Sequence, residues 1–192
     1  IRDQAVSRGL GDVYKRLIQI GATKEALELI GRESSGYNAL LRQLSDQIQD
    51  PFLSAIIVGK YHRAMELKTE LALDPESWMS NIGHSSRSEK IVTILGNLLE
   101  NALEASASSG EQKKVCLSMT DVGNELIFEV EDSGSGISED QQKSIFDEGF
   151  TTKTGTGRGI GLQLVHKNLI QLEGHLTVGE SSLSGARFTC LL

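Results

Sequence analysis

Residues 153–164 read KTGTGRGIGLQL, with glycines at every second position from Gly155 to Gly161 leading into an apolar, helix-like run. Backbone without side chains can take positive φ and turn successive N–H groups toward one anion. A helix starting near Ile160 adds free amides and the positive end of its dipole. Lys153 and Arg158 bracket the run and can neutralise a phosphate tail. Two common phosphate signatures do not fit. No glycine here precedes Lys-Ser or Lys-Thr, as a P-loop needs. The dinucleotide pattern G-x-G-x-x-G places Ile160 or Leu162 where its last glycine belongs. Taken alone, the run is equally a surface loop with incidental charges.

Three further clusters bear on the choice. In NLLENALE, Asn97, Glu100, Asn101 and Glu104 recur at helical spacing and share one polar face. Amide and carboxylate oxygens are hard ligands of the kind Mg²⁺ takes, with water and phosphate completing its octahedron. On its own such a face is most often just solvated. In EVEDSGSGIS, Asp132 ends a strand-like stretch and Gly134 and Gly136 follow. A carboxylate there can accept from an exocyclic amine while the glycines admit a flat ring, although a plain Asp-Ser-Gly turn reads the same way. IFDEGF carries Phe146 and Phe150 just before Thr151, Thr152 and Lys153. Elsewhere two such aromatics simply pack.

These residues need elements to hold them. Residues 12–50 read as two helices joined at Gly21-Ala22-Thr23, from apolar positions at helical spacing. Asp50-Pro51 stops one helix and starts the next, PFLSAIIVGKYHRAMEL, which leads to a short strand, KTELAL. SRSEKIVTILGNLLENALEAS is a strong helix with Ser88 expected as its N-cap. KKVCLSMT and ELIFEVED alternate at period two around a hairpin signal at residues 121–124. SEDQQKSIF is a short helix capped by Ser138, and GLQLVHKNLIQLEG a helix closed by Gly174. HLTVGES and ARFTCLL make a last hairpin. Hairpin-joined strands interleaved with helices predict an α+β fold, a two-layer α/β sandwich preceded by a helical hairpin.

Bulk properties narrow the field. A net charge of −7 argues against a nucleic-acid surface. The longest apolar run, FLSAIIVG, falls far short of the roughly 20 residues that cross a bilayer. No signal-peptide pattern opens the chain. Cys116 and Cys190 are isolated in strand-like stretches, which predicts two buried free thiols and suits a reducing cytosol. The chain opens Ile-Arg without Met and is expected to be a piece of a longer protein.

In this order the clusters resemble a family. NLLENA, DSGSG, IFDEGF and GTGRGIGL look like the N, G1, F and G2 boxes of the GHKL (Bergerat-type) ATP-binding domain of sensor histidine kinases. The resemblance covers roughly residues 51–192, with GARF as the closing strand. Residues from GATKEALELI through DPFLSAIIVGKYHRAMELK are similar, more loosely, to the citrate/C4-dicarboxylate sensor kinases and their helical hairpin. The resemblance implies a dimerisation hairpin over 1–50 and a catalytic domain over 51–192. It implies ATP and Mg²⁺ as cofactors, with Asn97 and Asn101 on metal and phosphate oxygens and Glu100 positioning water near the metal. Asp132 would read the adenine amine beside Gly134 and Gly136, and Phe146 and Phe150 would anchor a lid. Gly157, Gly159 and Gly161 would cradle phosphates in the box that ends at Leu162, with Arg158, Lys153 and the adjoining Thr152 as further contacts. A response-regulator receiver domain would be the partner, and a second copy would complete a four-helix bundle. No nucleic acid is expected. The chain would be the cytoplasmic part of a membrane sensor, attached only through upstream segments.

One expected feature is missing. A histidine kinase needs a phosphoacceptor His on its first dimerisation helix, and the segment expected to hold it, IRDQAVSRGLGD, has none. His62, His84, His166 and His175 read as surface or packing residues. Truncation or alteration at that end is the preferred explanation, and the acceptor is left unassigned. A serine kinase of the anti-sigma type shares the ATP boxes but lacks the helical hairpin. A scaffold with a vestigial nucleotide fold has no need of Asn97, Asn101, Asp132 and the glycines together. A gyrase- or mismatch-repair-type ATPase would need partner domains and a different charge.

Overall fold

The computed structural model describes residues 35–82, 85–110, 112–121, 123, 125–142 and 160–192. The first helix of the expected hairpin, His84, and Phe146, Phe150, Thr152, Lys153, Gly157, Arg158 and Gly159 lie outside them. The described elements run, in chain order, α1 (Ser35–Gln47), α2 (Pro51–Glu66), β1 (Glu70–Leu73), α3 (Ser86–Ala107), β2 (Lys114–Thr120), β3 (Ile127–Asp132), α4 (Glu139–Gln142), α5 (Ile160–Leu172), β4 (His175–Glu180) and β5 (Ala186–Leu191).

The strands form one five-stranded sheet in the order β1-β2-β3-β5-β4. β1 runs parallel to β2, Glu70 opposite Lys114 and Leu73 opposite Leu117, so α3 is the crossover between them. All other neighbours are antiparallel. Period-two alternation turns Val115, Leu117 and Met119 of β2, Phe128 and Val130 of β3, and Ala186, Phe188 and Cys190 of β5 to the buried face. α3 lies across that face beside α5, with α2 along its other flank. The expected two-layer sandwich is what forms.

α3 anchors the core. Ile91, Ile94, Leu95, Leu98, Leu99 and Leu103 are fully buried along its stripe, each stabilising the fold by about 1.5–3 kcal/mol relative to an exposed position. Its N-cap is Ser85, not the expected Ser88. Ser85 Oγ accepts from Ser88 N at 3.3 Å, and Ser88 Oγ accepts from Ser85 N at 2.8 Å, a reciprocal capping box one turn earlier. α2 starts as expected at Asp50-Pro51. Asp50 Oδ1 accepts from Phe52 N and Leu53 N, both at 2.9 Å, while Oδ2 takes Ile82 N at 3.1 Å and ties the approach to α3.

α1 belongs to the same core. Tyr37, Leu40, Leu44 and Ile48 are buried in it, and Gln43 Nε2 donates to Leu73 O at 3.0 Å and Asp74 O at 3.1 Å at the end of β1. α5 ends differently from the expectation. Glu173 takes the left-handed φ of 55°, and Gly174 serves close packing instead: a Cβ there would stand 2.5 Å from Leu192 Cδ2. Cys116 and Cys190 are both free; Cys190 is buried and Cys116 half-buried. Burial pushes the Cys190 thiol up to about 12, which leaves it unreactive.

Candidate functional site

The polar face of α3 carries Asn97 and Asn101 one turn apart. Asn97 Nδ2 donates to Thr93 O at 2.7 Å, which fixes the amide and leaves Oδ1 facing outward. What it faces is the start of α5. A Cβ built on Gly161 would stand 3.1 Å from Asn97 Oδ1 and 3.9 Å from Asn101 Oδ1. Two amide oxygens therefore border the first turn of α5, where a helix has no carbonyls of its own to bond its N–H groups. Val165 and Leu169, both buried, clamp α5 to the core, and half-buried Leu162 packs beside them.

Asp132 marks a second corner. It holds a core-facing register position at the end of β3, the same side as Phe128 and Val130, and is only 2% exposed. Its Oδ1 accepts from Gly134 N at 2.8 Å and Ala186 N at 3.1 Å. Burial pushes its carboxyl up, the Ala186 and Gly134 amides draw it back, and neighbouring Glu131 adds a further push; the net shift is upward. The corner is tied to α3 through Ser106, whose Oγ donates to Lys114 O at 3.0 Å and accepts from Ser133 N at 3.1 Å. Ser133 Oγ in turn accepts from Lys114 N at 2.9 Å. Asn97 thus sits at the middle of α3 and the Asp132 corner is tied to its C-terminal end, residues 97 and 106 being roughly 13.5 Å apart along the axis at 1.5 Å per residue.

Glycines make this corner possible. A Cβ on Gly134 would meet Ala105 Cβ at 2.8 Å, and Gly136 sits at φ 73°. The reading of the sequence missed Gly185, the most constrained of them. Gly185 N donates to Asp132 O at 3.1 Å, and a Cβ there would fall 2.2 Å from Asp132 Oδ1. The GARF stretch was the available signal, and it was read only as a strand.

Glu100 does not stand free beside the asparagines. Its Oε2 takes Lys60 Nζ at 2.6 Å and its Oε1 takes Arg63 Nε at 3.1 Å, both from α2. Burial alone pushes its carboxyl up, but Lys60 and then Arg63 outweigh that and hold it below the ordinary range. Lys60 and Arg63 were not picked out from the sequence. Their partner lies forty and thirty-seven residues downstream, so no local pattern announces them.

The residues suit a purine nucleotide with its polyphosphate. Backbone cradles that a Cβ would fill flank a buried acceptor at one corner, and amide oxygens face a helix N-terminus at the other. Among the described residues no group of three or more His, Cys, Asp or Glu is placed to hold a metal. The Asn97 and Asn101 oxygens suit Mg²⁺, which keeps most of its waters and needs one or two protein ligands.

Residues 86–192 match the family of histidine kinase-, DNA gyrase B- and HSP90-like ATPases, and the chain belongs to it. The nucleotide of this family is ATP. Among curated relatives, the chain is 41% identical over 172 residues to the sensor protein CitS of Halalkalibacterium halodurans, covering 89% of this chain and 32% of the relative. It is 33% identical over 184 residues to the sensor histidine kinase CitA of Klebsiella pneumoniae, covering 95% of this chain and 34% of CitA. The chain therefore spans about a third of the length of these relatives. Among solved structures, the catalytic domain of the histidine kinase ThkA shares the fold at a TM-score of 0.59 and 23% identity, over 73% of this chain and 91% of that one. Full-length ShkA in complex with AMPPNP shares it at 0.54 and 21%, over 98% of this chain and 36% of ShkA. No helix among the described residues is long and apolar enough to cross a membrane.

Proposed function

We propose that this chain is the cytoplasmic catalytic portion of a two-component sensor histidine kinase, which binds Mg-ATP and transfers its γ-phosphoryl group to a histidine. The phosphoryl group then passes to an aspartate on a response-regulator receiver domain. The observation that carries this reading is the meeting of Gly161 with Asn97 and Asn101 on the helix that also fixes Asp132. Mg-ATP supplies the phosphoryl group and the cation that neutralises it. Everything else falls to positioning and charge, because phosphoryl transfer asks little covalent chemistry of a protein. Asn97 and Asn101 offer their Oδ1 atoms to the metal and phosphate shell. The α5 amides around Gly161, with Gly157, Gly159, Arg158 and Lys153 before it, receive the phosphates. Asp132 accepts from the adenine amine through Oδ2, since Oδ1 already takes two backbone bonds. Phe146 and Phe150 would anchor a lid over the nucleotide, and Thr152 would join the phosphate contacts.

In this reading the segment up to residue 50 carries the hairpin that pairs with a second copy, its described helix α1 being docked on the catalytic core, and the acceptor histidine is left unassigned. The resemblance to citrate/C4-dicarboxylate sensor kinases, with a probable C4-dicarboxylate sensor kinase of Halalkalibacterium halodurans 29% identical over 180 residues, makes such a carboxylate the signal to try first. The test is the chemistry of the label. With γ-labelled ATP and the chain joined behind a histidine-bearing helical segment, the reading expects an acid-labile, base-stable phosphoprotein. An acid-stable label on serine would turn the reading toward a serine kinase.

A further inference from the structure

α2 and α3 meet along a short stripe. Ile56 packs beside Gly96, where a Cβ would stand in ordinary contact at 3.4 Å from Ile56 Cδ1. One turn on, Glu100 is gripped by Lys60 and Arg63. Ile56, Lys60 and Arg63 follow i, i+4, i+7 spacing, so one face of α2 reads two successive turns of α3. Lys60 and Glu100 are largely withdrawn from water, at 17% and 30% side-chain exposure. Arg63 also binds Glu66 at 3.0 Å, which holds the guanidinium in place. Glu100 adjoins Asn101 in sequence and lies one turn from Asn97. An uncompensated carboxylate there would oppose a polyphosphate on the same face.

We propose that Lys60 and Arg63 are positioning residues of the nucleotide site, which neutralise Glu100 and keep it turned to α2, so that α3 presents neutral amides to an anionic ligand. The inference rests on the nucleotide reading above. It also separates Glu100 from the metal: with Lys60 and Arg63 on its two oxygens, the carboxylate serves as the anchor of α2 on the site. The position of α2 and affinity for phosphates are then linked, since sliding α2 away uncovers a negative charge.

The test compares ADP with adenosine by calorimetric titration, for wild type, Lys60→Met with Arg63→Met, Glu100→Gln, and all three together. Thermal unfolding of each variant checks that it is folded. The pair of methionines should weaken ADP roughly tenfold and leave adenosine unchanged, because only the phosphates feel the exposed charge. Adding Glu100→Gln should restore ADP to within about twofold of wild type, and Glu100→Gln alone, which leaves the two cations uncompensated, should bind Mg-ADP at least as tightly as wild type. Equal losses for ADP and adenosine, or no rescue, would overturn the proposal. So would a loss of Mg²⁺ dependence in Glu100→Gln alone, which would return Glu100 to the metal. Wild type failing to bind either ligand would instead sink the underlying nucleotide reading.

Discussion

Gly161, the second residue of α5, lies so near Asn97 that a Cβ on it would stand 3.1 Å from Asn97 Oδ1. Asn97 lies on the crossover helix between β1 and β2 and Gly161 in the connection from β3 to β4, and their approach sets the gap between α3 and α5. Gly161→Ala should therefore separate stability from binding. The neighbour is a side-chain amide that can shift by a few tenths of an ångström, and alanine favours the helix by up to about 1 kcal/mol. Thermal unfolding should change little, while ADP affinity falls about tenfold.

Asp132→Asn keeps an Oδ1 that can still accept from Gly134 N and Ala186 N. It replaces the second oxygen with an amide donor, which cannot accept from the adenine amine. The variant should fold normally and lose at least tenfold of its preference for ADP over GDP, read by titration with each. Retained preference would remove Asp132 from base recognition.

Gly185→Ala should behave in the opposite way. Its Cβ would fall 2.2 Å from Asp132 Oδ1, 2.3 Å from Asp132 O and 2.5 Å from Gly134 N, contacts that backbone and a buried carboxylate cannot yield. A loss of about 2 kcal/mol or more is expected, visible as a lower denaturant midpoint in the absence of any ligand.

His62 predicts a pH effect on the α1–α2 packing. Its ring lies 5.3 Å from that of Tyr37 and 6.4 Å from that of Tyr61. Its Nε2 is buried with no hydrogen-bond partner among the described residues. Burial lowers its pKa and Glu66 only partly offsets this. The folded state thus binds the proton less readily than the unfolded one, so stability is fully present above the unfolded value of about 6.5 and declines as pH falls through it. His62→Phe should flatten the unfolding temperature between pH 7 and 5 relative to wild type.

The elements were legible because their signals are local, and so were the candidate residues Asn97, Asn101 and Asp132 that α3 and β3 carry. The Asn97–Asn101 spacing and the Asp132 strand end are each contained within a few residues, and helical or period-two patterns located what holds them. Boundaries were misread where two residues competed for one task. Ser85 wins the cap over Ser88 because Ser88 supplies the reciprocal bond of the box, and Glu173 takes the left-handed turn while Gly174 yields to Leu192. Gly185 and the Lys60–Arg63 grip were invisible for another reason. Each acts on a partner more than thirty residues away, and only the folded chain brings them together.

The most direct test is calorimetric titration of the chain with ADP and a non-hydrolysable ATP analogue, with Mg²⁺ and with chelator, and with GDP as control, repeated for Asn101→Ala. The account predicts micromolar, adenine-selective binding that tightens with Mg²⁺, and a folded Asn101→Ala variant that has lost the Mg²⁺ dependence. No binding at millimolar nucleotide, or equal binding of GDP with no response to Mg²⁺, would contradict it.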